Sequence, residues 1–321
     1  MADPTLTGGV RRTLARLSLL AVLAGSALSA TAGAAVLGRD DRNNADAFLP
    51  TQNRMFGGLG RIECLGAGSG GISFNATGWV IGSADTVITA AHSFFPRDRR
   101  GRSADVRDPA HCIFVLYNED QSVREIANIR YAVSPWADQT KRGDGSFDFA
   151  VVKLAHRVRV SSIPAVSTAG GRDRPAAQLL AFQTGVTQDQ RARITRGRTA
   201  AFPFAAGVEP TNGVRITDGS RLFSSSTNSS PGSSGGLYFD NVTGKAFGLH
   251  IGTLCDTSAG GVSYDPYRCF NYGLRFDRTM LASVDAVIRD APSDDQLIPP
   301  DTRYPTAAAM LVALAEGQAR S

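Results

Sequence analysis

Three short motifs carry residue types that could together perform acyl transfer. Ser234 lies in Gly232-Ser233-Ser234-Gly235-Gly236, His92 ends Thr89-Ala90-Ala91-His92, and Asp148 heads the apolar run Asp148-Phe149-Ala150-Val151-Val152. A serine hydroxyl needs an adjacent base to become nucleophilic, and the base needs a carboxylate that holds its tautomer. We therefore predict a catalytic triad of His92, Asp148 and Ser234.

Each of these assignments has a competitor. A lone histidine is most often structural, but His92 follows a β-prone run that could present its ring, a context that His111, His156 and His250 lack. Asp144 is a weaker rival of Asp148, because it lies between two glycines, where a solvated turn aspartate is expected. The Ser- and Gly-rich stretch 224–236 also has the composition of a flexible loop. Three motifs in one chain order outweigh these readings.

Glycines around Ser234 allow a tight turn whose amides point at one spot. The tetrahedral oxyanion of acyl transfer needs two such donors. We assign the oxyanion hole to the amides of Gly232 and Ser234.

Short β-prone runs separated by turn residues dominate the chain, and this density of strands predicts an all-β fold. The first series is Arg61–Leu65, Ile72–Ile81, Thr86–Thr89, Cys112–Tyr117, Glu125–Val133 and Phe149–Leu154. The second series is Gln178–Phe182, Arg191–Ala200, Gly213–Thr217, Gly236–Phe239, Lys245–Ile251 and Phe270–Phe276. They predict a first β-barrel over 56–165, a connection over 166–177 and a second barrel within 178–290.

Helical spacing appears only near the C-terminus. Met280, Leu281, Val284, Val287 and Ile288 recur at helical positions after Asp277, which could cap the helix. Residues 291–321 are expected to form a Pro-rich linker and an Ala-rich tail, to which we assign no function.

The N-terminus has the pattern of a signal peptide. Arginines at 11, 12 and 16 precede an apolar stretch and small residues that fit a cleavage site, so residues 1–34 are expected to be removed on export. The alternative is a retained membrane anchor over 17–36, but the Gly, Ser and Thr residues of this segment make it only weakly apolar. Residues 35–55 would then be a propeptide or an N-terminal arm. The mature protein is expected in the periplasm or the medium, without stable membrane insertion.

Four cysteines in an exported chain predict two disulfides. Cys64, Cys112, Cys255 and Cys269 allow three pairings, of which sequence proximity favours Cys64 with Cys112 and Cys255 with Cys269. Metal ligation is the alternative, but no CxxC or HxxxH spacing supports it. The formal net charge of +5 at pH 7, without basic runs interleaved with aromatics, gives no case for nucleic acid as a partner.

These motifs resemble the trypsin/chymotrypsin superfamily of serine proteases, and within it the bacterial branch that includes the V8-type glutamyl endopeptidases. Gly78-Trp79-Val80-Ile81-Gly82 and Gly248-Leu249-His250-Ile251-Gly252 add to the three catalytic motifs. The resemblance implies two perpendicular six-stranded antiparallel β-barrels with the triad in the cleft between them. It implies a peptide or protein substrate and no metal or organic cofactor.

The resemblance also suggests substrate-binding residues. Asn228 stands six residues before the nucleophile, where trypsin-like enzymes carry an aspartate, so Arg or Lys at the cleaved position is disfavoured. His250 occupies the place of a histidine that binds the substrate carboxylate in glutamyl endopeptidases, and Ile251 and Gly252 follow it on the same strand. The hypothesis is a preference for Glu or Asp, and the alternative is a structural or surface histidine.

The arginine-rich loop 97–102 could attract acidic substrate segments, although such a charge run is more often a solvated loop. The expected function is that of a secreted serine endopeptidase, monomeric by default. One rival is a catalytically inactive binding protein on a protease fold. An esterase is the other rival, but its Ser, Asp, His order and α/β alternation are absent.

Overall fold

The computed structural model describes residues 35–44, 54–65, 72–95, 106–118, 120–168, 174–184, 190–205, 214–255 and 263–298. These residues form fourteen strands and one α-helix. The strands are β1 (Asn43–Asn44), β2 (Leu59–Leu65), β3 (Ile72–Val80), β4 (Thr86–Thr89), β5 (Cys112–Tyr117), β6 (Val123–Val133), β7 (Ala150–Leu154), β8 (Arg174–Thr184), β9 (Gln190–Ala201), β10 (Leu222–Ser225), β11 (Leu237–Asp240), β12 (Ala246–Cys255), β13 (Cys269–Arg275) and β14 (Leu297–Ile298). The helix, α1, spans Arg278–Ile288.

The first barrel contains six antiparallel strands in the order β6-β5-β2-β3-β4-β7, and pairing of β6 with β7 closes it. All six runs of the first predicted series form these strands. The strands β4 and β7 are buried throughout, whereas part of β6 alternates between buried and exposed residues, as expected when one face fills the barrel and the other faces solvent.

The second barrel has the order β9-β10-β13-β12-β11-β8, closed by the pairing of β8 with β9. The short strand β1 adds to β9 outside the closed ring, as β14 adds to β6 in the first barrel. The predicted architecture of two six-stranded antiparallel β-barrels is therefore confirmed.

One predicted strand of the second barrel is wrong. Within 213–217, the described residues make only an isolated bridge, from Arg215 to Asp144 of the first half. The missing strand is instead β10, whose Ser224 and Ser225 lie in the stretch that composition predicts as a loop. Pairing with β9 on one side and β13 on the other outweighs the low β propensity of serine.

The second barrel also begins earlier than expected. β8 starts at Arg174, inside the stretch 166–177 that the sequence assigns to the connection. The pairing of β8 with β9 shifts register between Arg174 and Ala177. A bulge there tolerates Pro175, which cannot donate to a regular ladder and therefore resembles a strand breaker in the sequence.

One hydrophobic core cluster spans both barrels. It contains Trp79 and Ile88 from the first barrel with Phe239 and Leu249 from the second. The rings of Trp79 and Phe239 lie 5.3 Å apart between centroids, in a tilted arrangement that aromatic pairs favour. This shared packing fixes one barrel against the other, so residues on facing strands can form a single site.

Helix α1 follows the second barrel, as predicted. The Asp277 side chain accepts a hydrogen bond from the Met280 amide at 2.8 Å, which caps the first turn. Met280, Val284 and Val287 are buried on one face. In the described part of the chain, no helix has the length and apolar character needed to span a membrane.

Both disulfides form between the cysteines that are nearest in sequence. Cys64 pairs with Cys112 across β2 and β5, and Cys255 pairs with Cys269 across β12 and β13. Each pair therefore ties two neighbouring strands of one barrel. The tail beyond residue 298 and the leader 1–34 lie outside the described residues.

Candidate active site

His92 and Asp148 meet at the ends of two paired strands. β4 and β7 align Thr89 with Ala150, so the turn after β4 lies beside the turn before β7. His92 is in the first turn, a short 3₁₀ helix over Ala91–Ser93, and Asp148 ends the second. The pairing of neighbouring strands thus brings together residues that are 56 positions apart.

Asp148 holds His92 at two points. Its Oδ2 lies 2.8 Å from the ring Nδ1, and its Oδ1 accepts a hydrogen bond from the His92 amide at 3.0 Å. The His92 side chain is 12% exposed and the Asp148 side chain is 6% exposed. Because the carboxylate accepts at Nδ1, the neutral ring carries its proton there and leaves Nε2 free to act as a base.

Ser234 lies in a tight turn between two glycines of left-handed conformation. Gly232 has φ +95° and Gly235 has φ +86°. A Cβ on Gly235 would lie 2.0 Å from the Thr77 carbonyl oxygen, so this position combines a disfavoured φ with no space for a side chain. The Gly235 amide donates to the His250 carbonyl at 2.9 Å, which ties the turn to β12.

Thr77, which the sequence analysis missed, connects this turn to the first barrel. Its amide donates to the Ser234 carbonyl at 2.8 Å, and its hydroxyl donates to the Gly232 carbonyl at 2.8 Å. The hydroxyl of Thr89, three residues before His92, donates to the Thr77 carbonyl at 2.7 Å. Thr77 therefore positions the serine turn against the element that carries the histidine. The sequence feature that could have identified Thr77 is its position directly before the motif that begins Gly78-Trp79.

The amides assigned to the oxyanion hole are available. Among the described residues, neither the Gly232 amide nor the Ser234 amide donates a hydrogen bond. The amides of Ser233 and Gly236 are used within the turn, donating to Ser230 and Ser233 carbonyls at 3.0 and 2.8 Å. Gly232 and Ser234 are both partly exposed.

His250 lies in β12, next to the serine turn, and is 1% exposed. Its Nδ1 is 3.0 Å from the Tyr238 hydroxyl. Burial, with a smaller effect of a positive charge on His92, lowers the pKa of His250 to about 3. His250 is therefore neutral at physiological pH, and it is not a surface histidine.

Asn228 uses its whole amide group to hold the N-terminal segment. Its Oδ1 accepts from the Leu37 amide at 2.6 Å, and its Nδ2 donates to the Arg39 carbonyl at 2.8 Å and to Asp41 Oδ1 at 2.6 Å. The neighbouring Ser229 exchanges hydrogen bonds with Ala35. Sequence reasoning had no means of finding these contacts, which span about 190 positions.

Ile251 and Gly252 follow His250 along an open strand edge. β11 pairs with β12 only as far as Leu249, whereas β12 continues to Cys255. Among the described residues, no strand covers this side of β12 beyond that point. The backbone there can accept an added strand, although the Ile251 side chain is itself buried in the core.

The expectation that Asp144 is a solvated turn residue is wrong. Asp144 is 1% exposed and caps the 3₁₀ turn over Gly145–Phe147 by accepting from the Ser146 amide at 2.9 Å. It also accepts from the Thr217 hydroxyl of the second half. Long-range packing buries it, and its contacts are structural.

The other candidate residues of the sequence either lie away from this site or are not among the described residues. The His156 side chain is half exposed and faces Glu125 at 3.5 Å. The loop 97–102 is not among the described residues. In the part of the chain that is described, no group of three or more His, Cys, Asp or Glu side chains could hold a metal ion.

Comparison with known proteins is consistent with this geometry. The model of a family described as trypsin-like peptidase domain matches residues 76–249. No curated protein matches the chain. Among solved structures, a Glu endopeptidase in complex with MPD aligns with 15% identity and a TM-score of 0.50, covering 79% of this chain and 98% of that one. Protease Anisep from Arthrobacter nicotinovorans aligns with 16% identity and a TM-score of 0.49, covering 72% and 95%.

Proposed function

Because the chain belongs to the trypsin-like peptidase family, we propose that it is a serine endopeptidase that uses His92, Asp148 and Ser234. The observation that carries this proposal is the double contact of Asp148 with the ring and the amide of His92, beside the Ser234 turn. A catalytic base needs both its tautomer and its position fixed. The contact at Nδ1 fixes the tautomer of His92, and the contact at its amide fixes its position.

The proposed reaction is acyl transfer to Ser234. His92 Nε2 takes the hydroxyl proton as Oγ attacks the peptide carbonyl, and the carboxylate of Asp148 stabilises the imidazolium that forms. The amides of Gly232 and Ser234 bind the oxyanion. His92 then gives its proton to the leaving amine, and water resolves the acyl-enzyme by the same steps in reverse.

The glycine geometry supports the role of the turn. Left-handed φ values at Gly232 and Gly235 let successive amides converge, and the two amides that donate to no described residue are those that the oxyanion needs. Donors that are already in place cost no reorganisation when charge develops, which is why such sites contribute strongly to rate.

We further propose that the site prefers Glu or Asp at the cleaved position. His250 is a neutral imidazole whose Nδ1 faces the Tyr238 hydroxyl, so its Nε2–H remains as a donor for a carboxylate oxygen. The Asn228 side chain carries no charge, and its amide group is engaged by the N-terminal segment, so this side chain provides no carboxylate for Arg or Lys. The open edge of β12 at Ile251 and Gly252 would pair with the substrate backbone.

The protein is proposed to be exported. Two disulfide bonds fit an oxidising compartment, in agreement with a cleavable leader over 1–34. The contacts of Ala35 and Leu37 with the second barrel favour an N-terminal arm over a propeptide for residues 35–44. Cleavage before Ala35 would keep this arm.

The test is to incubate the mature protein and a Ser234→Ala variant with a denatured protein and with a fluorophosphonate probe. Labelling and cuts that disappear in the variant are expected, and mass spectrometry of the cut sites reads the preference. A His250→Ala variant that still cuts after Glu and Asp at the parent's relative rate would contradict the role of His250. Absence of both labelling and cutting would favour an inactive binding protein on this fold.

A further inference from the structure

A row of hydroxyl groups leads through the second barrel to His250. The Ser225 hydroxyl is 2.9 Å from that of Thr227, the Thr227 hydroxyl is 3.4 Å from that of Tyr238, and the Tyr238 hydroxyl is 3.0 Å from His250 Nδ1. All four residues are buried. The acyl-transfer mechanism proposed above uses none of these hydroxyl groups.

We propose that Tyr238 is a positioning residue for substrate selection, whose hydroxyl donates to His250 Nδ1 and thereby keeps the ring proton on Nε2. A neutral imidazole has one donor and one acceptor nitrogen, and the partner of one nitrogen decides the state of the other. With Nδ1 accepting from Tyr238, only Nε2 can donate to a substrate. This inference rests on the proposed function and extends it to a residue outside the triad.

Tyr238 is suited to this task because it can neither move nor lose its proton readily. Its ring packs edge-on against Phe223, with centroids 4.9 Å apart, and lies 6.1 Å from Phe247. Burial raises the pKa of Tyr238 well above its usual range. The Thr227 hydroxyl donates to the Tyr238 oxygen, so the phenolic proton is left to point at His250.

The tautomer decides whether a carboxylate is attracted or repelled. A substrate carboxylate only accepts hydrogen bonds, so it is bound by Nε2–H and repelled by an Nε2 lone pair. A ring free to exchange tautomers would spend part of its time in the repelling state. The Tyr238 hydroxyl removes that state without placing a charge in a buried site.

The first test determines the tautomer of His250 directly and does not depend on enzyme activity. Ser234→Ala protein with ¹⁵N-labelled histidine contains only four histidines, and a His250→Gln variant identifies the signal of His250. NMR is expected to show one tautomer with the proton on Nε2. In Tyr238→Phe the Nδ1 nitrogen loses its donor, and the signal should change to that of a tautomer mixture.

Tyr131→Phe is the matched control, because its hydroxyl donates to Asp290 at 2.8 Å, remote from the site. It should leave the His250 signal unchanged. Thr227→Val provides a second variant that preserves the tyrosine, and it is expected to change the signal in the same direction by a smaller amount. A parent with its proton on Nδ1, or variants at 238 and 227 that leave the tautomer unchanged, would overturn the inference.

The second test reads selection in the active protein. The ratio of kcat/KM for a peptide with Glu at the cleaved position to that for a Leu peptide should fall about 2- to 12-fold in Tyr238→Phe, the worth of one hydrogen bond. An unchanged ratio despite an altered tautomer would refute the role in selection. If the parent cleaves neither peptide, the proposed function fails, while the NMR result still decides the positioning.

Discussion

Acidification should expose the cost of burying His250. In the folded protein, burial and the nearby His92 lower the pKa of His250 from 6.5 to about 3. A histidine with a depressed folded pKa contributes stability that is complete above the unfolded pKa and is lost as pH falls toward the folded one, because the unfolded chain takes up the proton first. The window of loss therefore runs from about pH 6.5 down to about pH 3.

The size of the effect follows from the difference between the pKa values of His250 in the unfolded and folded protein. Each pH unit inside the window costs about 1.4 kcal/mol, so the full window corresponds to about 5 kcal/mol. A domain has a free energy of unfolding of roughly 5–15 kcal/mol, so this single group would dominate the response to mild acid. Between pH 6 and pH 4 the expected loss is about 3 kcal/mol.

Urea unfolding measures this loss when carried out in a Ser234→Ala background, which prevents self-cleavage. The free energy of unfolding is compared at pH 7, 6, 5 and 4 with that of the same protein carrying His250→Gln. All other ionisable groups are common to the two proteins, so the difference between the two curves isolates His250. His156→Gln, which removes a half-exposed ring, is the matched control for losing an imidazole.

The parent should lose stability relative to His250→Gln by about 3 kcal/mol between pH 6 and pH 4. Parallel curves would refute the reasoning, because they would mean that His250 takes up its proton equally in the folded and unfolded states. If the parent instead gained stability relative to His250→Gln as the pH falls, the folded protein would stabilise the imidazolium.

Three further outcomes are expected. Asp148→Asn removes the charge that stabilises the imidazolium and should lower kcat by about 10³- to 10⁴-fold; steady-state kinetics showing less than a tenfold loss would contradict the triad. Gly235→Ala places a Cβ 2.0 Å from a carbonyl oxygen at φ +86°, and should lower the free energy of unfolding by at least about 2 kcal/mol; a parent-like urea midpoint would argue against this geometry. Replacing Cys64 and Cys112 by Ala opens a loop of 48 residues, at a cost of about 4 kcal/mol by the chain-entropy relation; a loss below about 1 kcal/mol in urea would disagree.

Thr77 illustrates how the site depends on both barrels. Its amide, hydroxyl and carbonyl each contact a different part of the site: the Ser234 carbonyl, the Gly232 carbonyl and the Thr89 hydroxyl. The serine turn is therefore held from the first barrel, although it lies between two strands of the second. The placement of the serine turn relative to the element that carries His92 therefore depends on contacts between the two barrels.

The sequence by itself determined the features that depend on local pattern. Alternating apolar runs and turns predicted all six strands of the first barrel, and the spacing of Met280, Val284 and Val287 after Asp277 predicted helix α1. Chain proximity favoured the two disulfides that form. Glycine-flanked serine and small-residue histidine motifs are local chemistry too, so the candidate triad could be named before the fold was known.

Only the tertiary structure decided the contacts between distant segments. Asn228 binds the N-terminal segment, Asp144 is buried against Thr217, and Tyr238 meets His250, yet no local pattern marks any of these partners. Strand β10 likewise exists because β9 and β13 flank it, despite its serines. Local propensity encodes the strands of the first barrel and helix α1, whereas barrel closure and packing form β10 and determine which side chains the elements bring together.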